Sequence, residues 1–114
     1  MRILCCAMNY LPVPFAALFF REGGPFIWLG FFIIHSALSI LNYITARDTK
    51  DLLRLNLHML AGAALGHLSD AMLYMRFMSD DAVTQSMCFA AGLVGCAVVI
   101  VFSLISVAIK YGGE

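Results

Sequence analysis

The ionisable residues His35, His67 and Asp70 lie inside apolar stretches of this 114-residue chain. A carboxylate at the centre of a membrane helix costs roughly 3 kcal/mol or more, so its position requires a compensating interaction. Imidazole changes charge near neutral pH, and it can relay a proton or donate a hydrogen bond to a carboxylate. These residue types indicate the binding or transfer of a proton or small cation within an apolar environment.

The composition of the chain predicts an integral membrane protein. Hydrophobic residues make up 62% and charged residues 12%, and the mean hydropathy is +0.91. Ordinary soluble domains contain only about 45–50% apolar residues. Because each crossing needs about 20 residues, the length allows one membrane domain, residues 1–114. The formal net charge is zero, and without a basic run we expect no nucleic-acid partner.

The sequence contains four apolar segments, each long enough to cross a hydrocarbon core of about 30 Å as a helix. The predicted helices cover residues 3–20, 26–44, 49–77 and 82–109. Asp48 is placed to cap the third helix, and either Ser79 or Asp81 is placed to cap the fourth. The expected fold is an all-α, four-helix transmembrane bundle.

The first segment is the shortest and contains Pro12 and Pro14. Proline removes a backbone donor and clashes with the carbonyl four residues earlier, so we expect a kinked or broken helix. One alternative is three crossings plus a re-entrant or kinked N-terminal segment. A cleaved signal peptide is a further alternative, although no clear small-x-small cleavage site follows the apolar run.

Lysine and arginine predict the orientation of the bundle. With four crossings, one side carries five of these residues, and the other carries Arg21 and Arg76. The five are Arg2, Arg47, Lys50, Arg54 and Lys110. Under the positive-inside rule this places both termini in the cytoplasm, with the bundle in the plasma or inner membrane.

One face of the third helix combines small and polar residues. At about 100° per residue, Asn56, Gly62, Gly66, His67 and Asp70 share this face, and large aliphatic side chains occupy the opposite one. The two glycines form a small-xxx-small pair that lets helix backbones approach closely in lipid. We therefore expect Asp70 to point into a helix contact and away from lipid.

The second helix offers a matching face, because His35, Ser39 and Asn42 repeat at helical spacing. A short loop joins the second and third helices, which predicts antiparallel packing. The two faces together predict a polar seam inside the bundle. Its candidate binding or relay residues are Asp70, His67, His35, Ser39, Asn42 and Asn56.

We expect no metal or cofactor. His35 and His67 differ in depth by about 6 Å, whereas bis-histidine haem ligation needs rings at nearly one depth. The adjacent cysteines near the N-terminus lack the spacing of a zinc site, and no pair of cysteines has the separation of a disulfide. Cys96 is instead expected to pack in the fourth helix together with Gly92.

Two functional hypotheses remain, and neither is an enzyme, because no nucleophile motif or phosphate-binding loop is present. An intramembrane hydrolase that uses His67 and Asp70 is left as a further alternative. The first is an oligomeric transport or permeation bundle in the lipid bilayer that uses the seam as a proton- or cation-coupled path. The second is a non-catalytic membrane subunit whose polar groups satisfy one another and whose small faces dock onto a larger partner. Four short helices cannot readily both enclose an aqueous path and shield it from lipid, so the first hypothesis predicts a homo-oligomer.

Overall fold

The computed structural model describes residues 2–22, 24–78 and 81–112, and every regular element in these ranges is an α-helix. The predicted all-α fold is confirmed. The helices are α1 (Arg2–Met8), α2 (Pro12–Phe19), α3 (Gly24–Thr45), α4 (Thr49–Phe77) and α5 (Ala82–Tyr111). The last three correspond to the second, third and fourth apolar segments.

The first apolar segment is broken between α1 and α2, as its prolines predict. Tight turn bonds close the break, with the N–H of Asn9 donating to the carbonyl of Cys6 at 3.1 Å and that of Tyr10 to Ala7 at 3.0 Å. Pro12 begins α2, where its missing N–H would have no helical partner. The break leaves a short non-helical stretch, residues 9–11, whose backbone can approach another helix closely.

Aspartate side chains cap α4 and α5. Asp48 accepts a hydrogen bond from the N–H of Asp51 at 2.8 Å, which confirms the predicted cap of α4. Asp81 accepts from the Val83 N–H at 3.0 Å and from the Thr84 hydroxyl. These bonds, that of Thr84 foremost, hold the pKa of the Asp81 carboxyl below its usual range. Ser79, the other predicted cap, lies outside the described residues.

The α4 helix packs against every other helix of the described structure. One apolar cluster joins α3, α4 and α5 through Leu38, Met59, Ala63 and Val99, and a second joins α2 and α3. The buried face of α4 includes Asn56, Gly62, Gly66 and Asp70. This is the small and polar face expected from the sequence.

Gly62 and Gly66 bring α4 against the break in the first segment. A Cβ atom at Gly62 would lie 2.0 Å from the Asn9 carbonyl oxygen, and one at Gly66 would lie 2.6 Å from Pro12 Cβ. Contacts this short are not possible for a real side chain, so only glycine allows this approach. The small-xxx-small pair therefore seats the α1–α2 break on α4.

Two contacts mark opposite ends of the bundle. The Lys110 ammonium donates to the carbonyls of Tyr43 and Ala46, which places the end of α5 beside the end of α3. The rings of Phe20 and Phe77 meet at a centroid distance of 5.9 Å, so the end of α2 lies beside the end of α4. Lys110 thus lies close to the segment that carries Arg47, and Arg21 and Arg76 lie next to the Phe20–Phe77 contact.

The surface of the helices is apolar. Within the described residues, two of them, over Pro25–Thr45 and Phe89–Tyr111, are long and apolar enough to cross a membrane, judged by length and composition. Large apolar side chains are exposed on every helix, among them Ile3, Leu18, Ile44, Leu57 and Ile109. Soluble monomers rarely expose large contiguous apolar patches.

Candidate functional site

Four of the six residues of the predicted seam fall into two separate groups, and Ser39 and Asp70 belong to neither. The first is an asparagine cluster, which we define as Asn9, Asn42 and Asn56, all nearly or fully buried. The Nδ2 group of Asn42 donates to Asn9 Oδ1 at 2.8 Å and lies 3.4 Å from Asn56 Oδ1. Three helix segments are joined at this point by side-chain hydrogen bonds.

The remaining donors of the asparagine cluster bond to backbone carbonyls. Asn9 Nδ2 donates to the Cys5 carbonyl at 2.8 Å, and Asn56 Nδ2 lies 3.5 Å from the Ser103 carbonyl on α5. Much of the cluster's hydrogen-bonding capacity is thus used inside the bundle. Its arrangement is that of a structural tie between α1, α3, α4 and α5.

Asn9 was not among the residues predicted from the sequence. Its position is nonetheless informative, because it is a polar residue three positions before Pro12 in an apolar segment. A polar residue at a helix break can form hydrogen bonds with neighbouring helices, because the regular backbone hydrogen bonds of the helix are interrupted there.

The second group is the histidine pair, His35 on α3 and His67 on α4. Their ring centroids are 5.3 Å apart, and the Phe31 ring lies 4.2 Å from that of His67 and 5.9 Å from that of His35. His35 is only 5% exposed. The Nε2 atoms of both rings are buried and make no hydrogen bond within the described structure.

Two glycines of α5 make room for His67. A Cβ atom at Gly92 would lie 3.0 Å from His67 Cβ, and one at Gly95 would lie 2.6 Å from His67 Nε2. Gly92 was predicted as a packing residue, whereas Gly95 was not singled out. Cys96, the other residue predicted to pack in this helix, is half-buried and not in a disulfide.

A cavity of about 420 Å³ opens beside the histidine pair, between α3 and α5. Its polar lining comes from His35, His67 and Ser36, and its aromatic wall from Trp28, Phe31, Phe32 and Phe102. The rest of the wall is aliphatic or glycine, contributed by Met87, Ala90, Ala91, Val94, Gly95 and Val98. An apolar cavity with a few convergent polar groups is the usual form of a small-molecule site.

Asp70 lies one helical turn beyond His67 on α4 and is only 4% exposed. Its Oδ1 atom makes no hydrogen bond within the described ranges, and neither does the hydroxyl of Ser39, which is also buried. No hydrogen bond joins Asp70 to either histidine. The structure thus brings the two histidines together and leaves the carboxylate one turn away.

Nitrogen, oxygen and sulfur ligands do not gather into a metal site in this arrangement. Within residues 2–22, 24–78 and 81–112 no group of three His, Cys, Asp or Glu side chains is placed to hold a metal ion. The arrangement instead offers two imidazole nitrogens to a hydrogen-bonding group in the cavity, with a carboxylate nearby that can exchange a proton or bind a cation.

No family model, curated protein or solved structure matches this chain.

Proposed function

We propose that the chain is an integral membrane protein whose four helical segments cross the bilayer, with α1 and α2 together forming a broken first crossing. The apolar side chains exposed on every helix support this location, because lipid tails would cover them. The excess of lysine and arginine at the end that carries Arg47 and Lys110 supports cytoplasmic termini in a plasma or inner membrane.

We further propose that the protein works as an oligomeric transport or permeation bundle. The observation that carries this proposal is a set of three buried atoms without a hydrogen-bond partner in the described structure. His35 Nε2 and His67 Nε2 belong to residues that line the cavity, and Asp70 Oδ1 lies on α4 one helical turn beyond His67. A buried polar atom costs free energy unless water, an ion or a ligand contacts it. These three atoms are therefore suited to receive a hydrogen-bonding or charged group during passage.

The wall of the cavity defines the cargo that fits. Aromatic rings and aliphatic groups around two imidazoles suit a small, flat and mainly apolar molecule with one hydrogen-bonding group. His35 and His67 contact that group, and Asp70 is the carboxylate that takes up and releases a proton or cation. Neighbouring protomers shield the path from lipid, since one small bundle cannot both enclose and cover it.

The alternative is a non-catalytic subunit whose helices dock onto a larger membrane protein. The asparagine cluster favours this alternative in one respect, because its buried side chains form hydrogen bonds between helix segments. The two functions differ in what Asp70 does. It exchanges a proton in the first, and it specifies helix contacts in the second.

The Asp70→Asn variant separates these functions. In liposomes with an internal pH dye and an imposed potassium diffusion potential, we expect the variant to reduce proton flux at least tenfold. Its oligomeric mass in detergent should stay unchanged. Asp81→Asn is the matched control, because Asp81 is an exposed carboxylate at the start of α5. It should keep the flux of the unmodified protein.

Loss of the assembled mass in Asp70→Asn would instead support the subunit function. Wild-type flux together with wild-type mass would show that Asp70 serves neither function, and the transport proposal would be withdrawn.

A further inference from the structure

A second concave surface lies on the opposite side of α4 from the buried polar face. We call it the basic groove and define it by the residues that line it: Tyr10, Lys50, Leu53, Arg54, Leu57, His58 and Ala61. Its volume is about 580 Å³, and it is more open than the cavity beside the histidine pair. None of these residues belongs to the proposed transport site.

No described residue neutralises the cations of the basic groove. Lys50 and Arg54 are exposed, and neither makes an ion pair or hydrogen bond with any described residue. The nearby carboxylates have other partners: Asp48 accepts from the Asp51 N–H, and Asp51 accepts from the Arg47 N–H at 3.0 Å. The groove therefore presents two cations one helical turn apart to an anionic ligand.

The groove changes from charged to apolar along the helix. From Lys50 to Ala61 the distance along the axis of α4 is about 16 Å, close to the depth of one leaflet of a hydrocarbon core. Lys50 and Arg54 lie at the start of the helix, and the aliphatic residues Leu57 and Ala61 lie further along. This is the order of headgroup and acyl chain in a phospholipid.

The Tyr10 hydroxyl and His58 Nδ1 close one side of the groove. They are hydrogen-bonded at 2.9 Å, and their rings meet edge to face at a centroid distance of 5.7 Å. Because Tyr10 belongs to the break between α1 and α2, this contact holds the break beside α4. One wall of the groove is therefore formed by α4, and the other by Tyr10 of the α1–α2 break.

We infer that the basic groove binds an anionic phospholipid. Its phosphate lies between Lys50 and Arg54, and one acyl chain follows Leu53, Leu57 and Ala61. Charge complementarity selects the anionic headgroup, and the apolar continuation selects a lipid over a free phosphate. The inference rests on the proposed membrane location, but it does not depend on transport.

Native mass spectrometry of the full chain in detergent tests this site. Phosphatidylglycerol and phosphatidylcholine with identical acyl chains are titrated separately. Each lysine or arginine near an anionic lipid surface strengthens the affinity for that lipid about fivefold. With two such cations, we expect the protein to bind phosphatidylglycerol about 25-fold more tightly than phosphatidylcholine. Lys50→Ala/Arg54→Ala should abolish it, and Lys50→Arg/Arg54→Lys should retain it. Arg21→Ala/Arg76→Ala, which removes two cations at the other end, should also retain it.

A second variant and a soluble competitor distinguish binding of a whole phospholipid from binding of its headgroup alone. Leu57→Asp keeps both cations and places a charge in the apolar part, so it should weaken phosphatidylglycerol binding. Glycerophosphate should not displace the lipid. Equal loss of preference in the Arg21/Arg76 variant would overturn the inference, as would unchanged preference in the Lys50/Arg54 variant or full displacement by glycerophosphate.

Failure of the site can be distinguished from failure of the membrane proposal. If carbonate washing leaves the chain in the membrane and no preference for phosphatidylglycerol is found, only the lipid site is wrong. If carbonate releases the chain, the proposed membrane location itself is wrong.

Discussion

Replacing Gly62 with alanine tests the contact that positions the α1–α2 break. The added Cβ would lie 2.0 Å from the Asn9 carbonyl oxygen and 3.1 Å from Tyr10 Cα, both backbone atoms. Ordinary contact begins at 3.4 Å, so the break must move by more than an ångström. Since Asn9 also accepts from Asn42, this movement disturbs the asparagine cluster as well.

Two effects of opposite sign set the magnitude for Gly62→Ala. Alanine favours the helix by about 0.5–1 kcal/mol over glycine. Overpacking a tight contact costs about 1–3 kcal/mol, and a backbone neighbour cannot relax as a flexible side chain can. We expect a net loss of about 1–2 kcal/mol in the free energy of unfolding.

Equilibrium unfolding of the purified protein in mixed micelles, followed by circular dichroism, measures this loss. Ala64→Leu is the matched control, because Ala64 lies two residues away on the exposed side of the same helix. It should change the free energy of unfolding by less than about 0.5 kcal/mol. If Gly62→Ala is more stable than the unmodified protein, helix propensity dominates, and the close contact between Gly62 and the α1–α2 break is refuted.

Two further predictions concern the contacts that hold the bundle together. Asn42→Leu leaves Asn9 Oδ1 and Asn56 Oδ1 without their donor. Because each interhelical hydrogen bond contributes about 0.6 kcal/mol, the free energy of unfolding in micelles should fall by about 1 kcal/mol. Equal or greater stability would show that the cluster is not a tie. Lys110→Met removes the donor to the carbonyls of Tyr43 and Ala46 at the end of α3. Hydrogen exchange over residues 43–47 should speed up severalfold, whereas Lys110→Arg should stay close to the unmodified protein; equal exchange in Lys110→Met would contradict the contact.

Much of the fold follows from local sequence signals. The caps at Asp48 and Asp81 and the break before Pro12 arise from interactions within a few residues, and these are visible in the sequence. The buried face of α4 was predictable as well, because a helix fixes which residues share a face. Such features need no knowledge of the neighbouring helices.

The partners of these faces depend on tertiary packing and could not be predicted. Spacing alone indicated that Gly62 and Gly66 admit a close neighbour, but not that the neighbour is the α1–α2 break. Axial counting placed His35 and His67 at different depths, whereas their rings meet in the structure because side chains reach along and between helices. The role of Gly95 was invisible for the same reason, since it depends on His67 of another helix.

The histidine-lined cavity is the centre of the proposed function, and Trp28 provides a direct probe of it. Trp28 is the only tryptophan in the chain, and it lines the cavity together with Gly95. Quenching of its fluorescence by 4-bromophenol, a flat apolar molecule with one hydroxyl group, reports occupancy. Gly95→Leu fills the cavity beside His67, and Ala97→Leu adds the same side chain at an exposed position of α5 outside it. We predict saturable quenching in the unmodified protein and in Ala97→Leu, and only a linear background in Gly95→Leu. Saturable quenching of equal affinity in Gly95→Leu would contradict the assignment of this cavity as the binding site.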